Sequence, residues 1–144
     1  MKIFTKSKDG GPDSPVDAYF LFEIKSFGSI AFLKFNKGAR EAFHTHAFSA
    51  LTWFIKGDMV EEDIKGEYWP YERSFLPKIT KKEKNHRVIA LEDSWCFTIR
   101  GPWKNTWTED HDGKTTTLTH GRIVVSDNYV EKNNESTRSS ETTT

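Results

Sequence analysis

Gly38-Ala39-Arg40-Glu41-Ala42-Phe43-His44-Thr45-His46-Ala47-Phe48-Ser49-Ala50-Leu51-Thr52-Trp53-Phe54-Ile55-Lys56-Gly57 is the stretch on which the reading of this chain turns. Side chains alternate sides along an extended backbone, so His44 and His46 face the same way and stand close enough to share one ion. Leu51 to Ile55 is β-rich and stops at Lys56-Gly57-Asp58, a hairpin turn. A third histidine, His86, opens another β-like run about forty residues later. Three neutral imidazole nitrogens suit iron, zinc, nickel, copper or manganese, and a three-ligand site keeps positions open for water or substrate. The plain alternative is a pair of polar residues beside a loop.

Working outward, the same two-residue period recurs. Val16 to Ile24 puts Ala18, Phe20, Phe22 and Ile24 on one face and Tyr19, Leu21 and Glu23 on the other, as in a strand covered on both sides. Ser29 to Phe35 is its partner across the turn Ser26-Phe27-Gly28. Met59 to Ile64 and Gly66 to Tyr71 form a further hairpin, with Pro70 at an edge or an end. His86 to Leu91 and Trp95 to Arg100 pair through Glu92-Asp93-Ser94 and stop at Gly101-Pro102. Thr106 to His111 and Lys114 to Val125 flank Asp112-Gly113, a strong hairpin signal. No segment has a convincing helical period, although Lys37 to Phe43 could manage one turn. Roughly ten short strands with frequent turn signals predict an antiparallel sandwich or barrel.

The 144 residues make one domain with room for a real core. Basic and acidic residues balance at 21 each, so no net field draws the protein to nucleic acid or an anionic membrane. Lys81-Lys82-Glu83-Lys84 reads as a solvated loop. No apolar run approaches the roughly 20 residues of a membrane span, and Met1 to Lys6 lacks the apolar stretch of a signal peptide. The single cysteine, Cys96, forbids an internal disulfide and any cysteine-based zinc cluster. Cytoplasmic residence is the default expectation. Glu131 to Thr144 is almost devoid of apolar residues and is expected to be disordered.

Gly38, five residues, His44-Thr45-His46 and a strand ending at Gly57 resemble the first motif of the cupin superfamily. That motif is a glycine, five residues, H-x-H, three or four residues, a glutamate, six residues and a glycine. The glycine spacing is kept, and the glutamate position is Ala50. Pro77 and His86 resemble the proline and histidine of the second motif, without its usual glycine and asparagine. A closer likeness is to a group of small cupin-like proteins with an H-x-H, an aromatic, a strand ending in glycine, an H-R-V stretch and a T-G-P-like turn. Here these are His44-Thr45-His46-Ala47-Phe48, then His86-Arg87-Val88, then Arg100-Gly101-Pro102-Trp103.

The resemblance spans residues from about 17 to 125. It implies an all-β, single-domain antiparallel cupin-type β-barrel (jelly roll) over residues 17–127, after a lead-in at 1–16 and before a disordered polar tail at 128–144. Cupins with three histidines and a carboxylate commonly bind manganese, nickel or iron. Those with three histidines alone resemble thiol dioxygenases, which hold ferrous iron. With Ala50 at the carboxylate position, the resemblance implies the second kind. His44, His46 and His86 would hold one divalent transition metal, Fe(II) first, with zinc, nickel or manganese as alternatives. The implied activity is that of a non-haem iron oxygenase acting on a small polar molecule. The alternatives are a metal-independent isomerase or epimerase with a histidine as general base, and a non-catalytic ligand-binding or assembly module.

Glu61 and Glu62 are expected in a solvated turn rather than as substitutes for the missing carboxylate. Arg73 and Arg100 are candidate clamps for a substrate carboxylate or phosphate, each with a solvent-facing arginine as the alternative. Trp53 is read as core. Trp103 and Trp107 flank a polar turn and read as an exposed patch, hence a candidate homodimer face. Cys96, in mid-strand between aromatics, reads as an inert core thiol. Ser49 is a poor ligand and reads as a backbone-bonding residue. His111 and His120 are given no role.

Overall fold

The computed structural model describes residues 1–39 and 42–129. The expected tail lies outside the described residues from residue 130 onward. In chain order the strands are β1 (Lys2–Lys8), β2 (Val16–Ile24), β3 (Gly28–Phe35), β4 (Gly38–Ala39), β5 (Phe43–His44), β6 (Ala50–Lys56), β7 (Met59–Asp63), β8 (Tyr68–Pro70), β9 (Lys78–Thr80), β10 (His86–Ala90), β11 (Ser94–Arg100), β12 (Thr106–His111), β13 (Lys114–Thr119) and β14 (Ile123–Tyr129). A short 3-10 turn, His120–Arg122, precedes β14, and the described residues contain no α-helix. One sheet runs β1-β2-β3-β11-β6-β9; the other runs β14-β13-β12-β5-β10-β7-β8, with β4 also paired to β10. All the pairings are antiparallel.

The two-residue period explains which faces meet. In β2, Val16, Ala18 and Phe20 are buried, and so are Ala31 and Leu33 of β3 and Cys96 of β11. These pack with Met59 of β7 and Ala90 of β10 from the other sheet, so the core lies between the two layers. The expected face of β2 does not run its full length. The register shifts between Phe20 and Phe22, and a bulge of this kind reverses the phase of the residues beyond it. Glu23 is therefore the buried residue at that end (5 % exposed), and Phe22 is only half-buried.

Turns follow local chemistry. Asp112 and Gly113 both take positive φ (51° and 75°), as a two-residue hairpin between right-twisted strands demands. Gly57 has φ 111°, and a Cβ there would fall 2.1 Å from Ser94 Oγ, so the motif's second glycine is required by both backbone and space. The run expected from Lys114 to Val125 is cut in two by Gly121 (φ 74°). Strands β1 and β9 were not expected. β1 is an edge strand carrying Lys2, Lys6 and Lys8, polar on both faces and so without an alternating signal. β9 pairs only three residues with β6 from within a charged stretch. Among the described residues no helix is long and apolar enough to cross a membrane.

Candidate functional site

β5 is two residues long, yet it decides the site, because it lies between β10 and β12. His44 pairs with His86 on one side and with Glu109 on the other. The chain stays anchored beyond it: Thr45 N–H donates to Thr108 O (2.9 Å) and His46 N–H donates to Lys82 O (3.0 Å). The three imidazoles converge, with ring centroids 4.9 Å apart for His44 and His46, 5.2 Å for His44 and His86, and 4.9 Å for His46 and His86. One ligand atom from each lies within 4.8 Å of the others. Nitrogens bound to a common ion at about 2.0–2.2 Å would lie about 3–3.5 Å apart. The donor set therefore fits a divalent transition metal after small side-chain rotations.

Two of the rings have a partner on the outer nitrogen. His86 is 3 % exposed, and its Nδ1–H donates to Glu61 Oε1. An ionised carboxylate can only accept, so the Nε2 lone pair of neutral His86 points the other way. It lies 2.7 Å from His46 Nε2, an arrangement that needs a proton between the nitrogens when no ion is shared. His44 Nδ1 faces Ala42 O at 3.4 Å.

Glu61 is a residue that sequence reasoning placed wrongly. It is fully buried rather than in a solvated turn. It sits on β7 opposite Val88 and diagonal to His86, within reach on the same face. Lys84 Nζ approaches at 3.0 Å, and Lys78 Nζ makes a second close ion pair. Burial alone would raise the carboxyl's pKa, but the hydrogen bonds from His86 and the two lysines outweigh it and hold the group well below the usual carboxylate range. Lys84 thus belongs to the site and not to a solvated loop. Glu62 points away on the same strand, is 8 % exposed and pairs with Arg87 (2.5 Å). A weak signal existed: Met59 and Glu61 share one face of β7, and Met59 is core.

The histidines line a cavity of about 420 Å³ between the sheets. Ala50 lines it too, so the carboxylate position of the motif does face the site. Arg100 is also in the wall, 5 % exposed, which excludes the solvent-facing alternative for this arginine. Its guanidinium stacks on Phe48 (4.5 Å) and Phe20 (5.7 Å) and is bidentate to Asp9 (2.6 and 3.2 Å). Arg73 lies exposed in the loop after β8 and is not part of the wall, so the structure does not bring it to the site. Sequence reasoning also missed Asp9, Glu109 and Arg122, all three lining the cavity; Arg122 pairs with Glu109 at 2.9 Å.

Trp103 and Trp107 are half-buried in the cavity wall with their rings 5.6 Å apart, instead of forming an exposed patch. Trp53 is half-buried, not core, and its Nε1–H donates to Phe75 O (3.1 Å). Cys96 is fully buried, and burial pushes its thiol up to about 12, the behaviour of an inert core group. Ser49 Oγ accepts from Lys82 N–H (3.1 Å), a backbone-bonding role as expected.

No protein-family model matches the chain, and no curated sequence matches it. Solved structures do. A sugar phosphate isomerase of the cupin superfamily from Silicibacter pomeroyi superposes with a TM-score of 0.57 at 12% identity, covering 93% of this chain and 94% of that one. Ectoine synthase from P. lautus gives 0.54 at 16% identity, over 69% of this chain and 72% of that one. KdgF from Halomonas sp. gives 0.52 at 15% identity, over 72% and 96%. The chain has the cupin fold. In this chain the H-x-H and the third histidine come together between the sheets, where they could hold a divalent metal.

Proposed function

We propose that this cupin is a metal-dependent enzyme of the three-histidine kind, with His44, His46 and His86 holding one divalent ion, Fe(II) first, and a small polar substrate in the adjoining cavity. The observation that carries the reading is the convergence of three imidazoles, of which His86 has its outer nitrogen engaged by Glu61 and His44 has its outer nitrogen facing Ala42 O. Outer partners of this sort fix the tautomer and raise ligand basicity. Bound ferrous iron would supply Lewis acidity and oxygen activation. The chain's own residues supply the rest. Phe20, Phe48, Trp103 and Trp107 exclude water from one side of the cavity, and Arg100 orients an anionic group.

The test begins with metal analysis of protein purified without a histidine tag. Bound iron, or uptake of added ferrous iron to about one equivalent, is expected. Less than about a tenth of an equivalent with no uptake would sink the reading. Oxygen consumption against a panel of thiols and small acids then tests the redox step. A second reading, an isomerase using a histidine as general base, is favoured by the breadth of the likeness to the sugar phosphate isomerase. Activity that survives a chelator would select it.

A further inference from the structure

We infer that the outer face of the first sheet, β1-β2-β3-β11-β6-β9, is the surface on which a second copy of this chain docks, sheet against sheet. This is independent of any metal in the cavity.

The register places two rows of apolar side chains across this face. Tyr19 of β2, Phe32 of β3, Phe97 of β11 and Trp53 of β6 stand side by side, each opposite the next. Ile30, Ile99, Leu51 and Ile79 form the neighbouring row on β3, β11, β6 and β9. Alternation turns both rows away from the core, to which the same strands send Ala18, Ala31, Leu33 and Cys96. The rings are continuous: Phe32 and Phe97 have centroids 5.2 Å apart, Phe97 and Trp53 5.8 Å, and Trp95 stacks on Tyr19 at 5.6 Å. Phe32, Leu51 and Ile99 each leave more than a third of their surface in water, and Ile79 leaves 66 %. Isolated apolar side chains on a surface are ordinary, but these adjoin. With Trp95 and Ile55 they expose on the order of 600 Å² in one patch, the upper end for a monomer. A polar rim brings the face toward the ~800 Å² that each partner of a stable complex covers.

Charge selects the occupant. Neither row holds a residue charged at neutral pH, so nothing in the patch attracts nucleic acid, an anionic membrane or a charged peptide. Residues 131–144 contain no apolar side chain to lay on it. A second copy fits. The 21 basic and 21 acidic residues cancel, so two copies approach without net repulsion. At the border, Lys34 lies 4.0 Å from Asp93 and Lys8 lies 3.0 Å from Asp17, which keeps identical borders from opposing bare like charges. Two sheets stack about 10 Å apart with their strands nearly aligned, the spacing at which side chains of facing rows interdigitate. A two-fold axis makes that contact self-complementary and closed. Pairing through the edges of this sheet is disfavoured, because β9 is three residues long and β1 carries Lys2, Lys6 and Lys8. The inner side of β6 and β11 presents Ala50, Thr52 and Thr98 to the cavity, so the partner stacks behind that wall and stays out of the cavity.

The experiment is sedimentation velocity of the full chain between about 1 and 100 µM, with far-UV circular dichroism to check folding. The wild type is expected to sediment as a dimer of the 16.7 kDa chain. Phe32→Lys, at the centre of the face, is expected to raise the dimer Kd at least about 100-fold. Ile79→Lys, on the exposed edge of the same face, is expected to act in the same direction and carries the test if Phe32→Lys does not fold. Val125→Lys, exposed on β14 of the other sheet, is expected to leave the dimer intact. A dimer that the folded face variants leave undisturbed, or that Val125→Lys dissociates as strongly, would overturn the proposal. So would a wild type that stays monomeric at about 100 µM, which would assign the face to another protein or to a lipid surface.

Discussion

His86 and the pair His44 and His46 reach the same point from unlike supports. His86 opens a five-residue strand paired along its whole length with β7, and a buried carboxylate with two lysines grips its outer nitrogen. His44 lies on a strand of two residues, and beyond that strand the His46 N–H donates to Lys82 O. Both are half-buried. One ligand is thus set by the fold before an ion arrives, and the other two adjust to it. The contrast teaches that a metal site need not be equally rigid on every side: a single fixed ligand defines the position and the segment opposite closes on it.

The largest expected effect lies on the rigid side. Glu61→Ala leaves Lys78, Lys84 and His86 aimed at an empty space and should cost about 2–3 kcal/mol in urea unfolding, because buried His86 loses its hydrogen-bond acceptor and a cavity opens behind it. His44→Ala should cost less than about 1 kcal/mol in the same measurement. Equal costs would break the comparison. Next, His86→Ala should reduce bound iron below about a tenth of an equivalent after dialysis; unchanged binding would mean the third ligand is wrongly assigned. Glu61→Gln keeps an acceptor for His86 Nδ1–H and removes the charge. It should weaken metal affinity about 10–100-fold in competition with a chelator. The same variant should flatten the acid limb of stability. With its pKa held low in the folded protein, Glu61 stabilises fully above its unfolded value of about 4.3, and that contribution is lost as pH falls toward the folded value.

The smallest effect belongs to the core behind both supports. The Cys96 thiol is pushed up to about 12, so above about pH 8.5 the unfolded chain loses a proton that the native chain keeps. Stability should fall with rising pH across that interval, and Cys96→Ala should make the slope shallower. Burial should also shield the native thiol from alkylation at about pH 8.5, with reaction appearing on unfolding.

Much of this was legible in the chain. Wherever neighbours along the backbone settle a feature, the reading carried through: the alternation in Ser94–Arg100, the Asp112-Gly113 turn, and the H-x-H that puts two rings on one side. The misplacements are residues whose partners come from far away. Glu61 sits in Met59-Val60-Glu61-Glu62-Asp63, which locally reads as acidic and solvated, and its counter-charges arrive from 78, 84 and 86. Asp9 lies ninety-one residues from Arg100. Trp103 and Trp107 flank a polar turn, but the cavity and not solvent is what they face.

The sequence by itself determined the strand periodicity, the glycines that allow the sharp turns, and the three imidazoles available for an ion, because each depends on sterics or spacing within a few bonds. Only the tertiary structure decided that Glu61 braces His86, that Arg73 stands outside while Arg100 is walled in, and that an aspartate from the first hairpin occupies the arginine. These depend on which strands lie side by side. Coulomb energy and burial act through space, and the distance between two charges is known only once the sheets have been laid against each other.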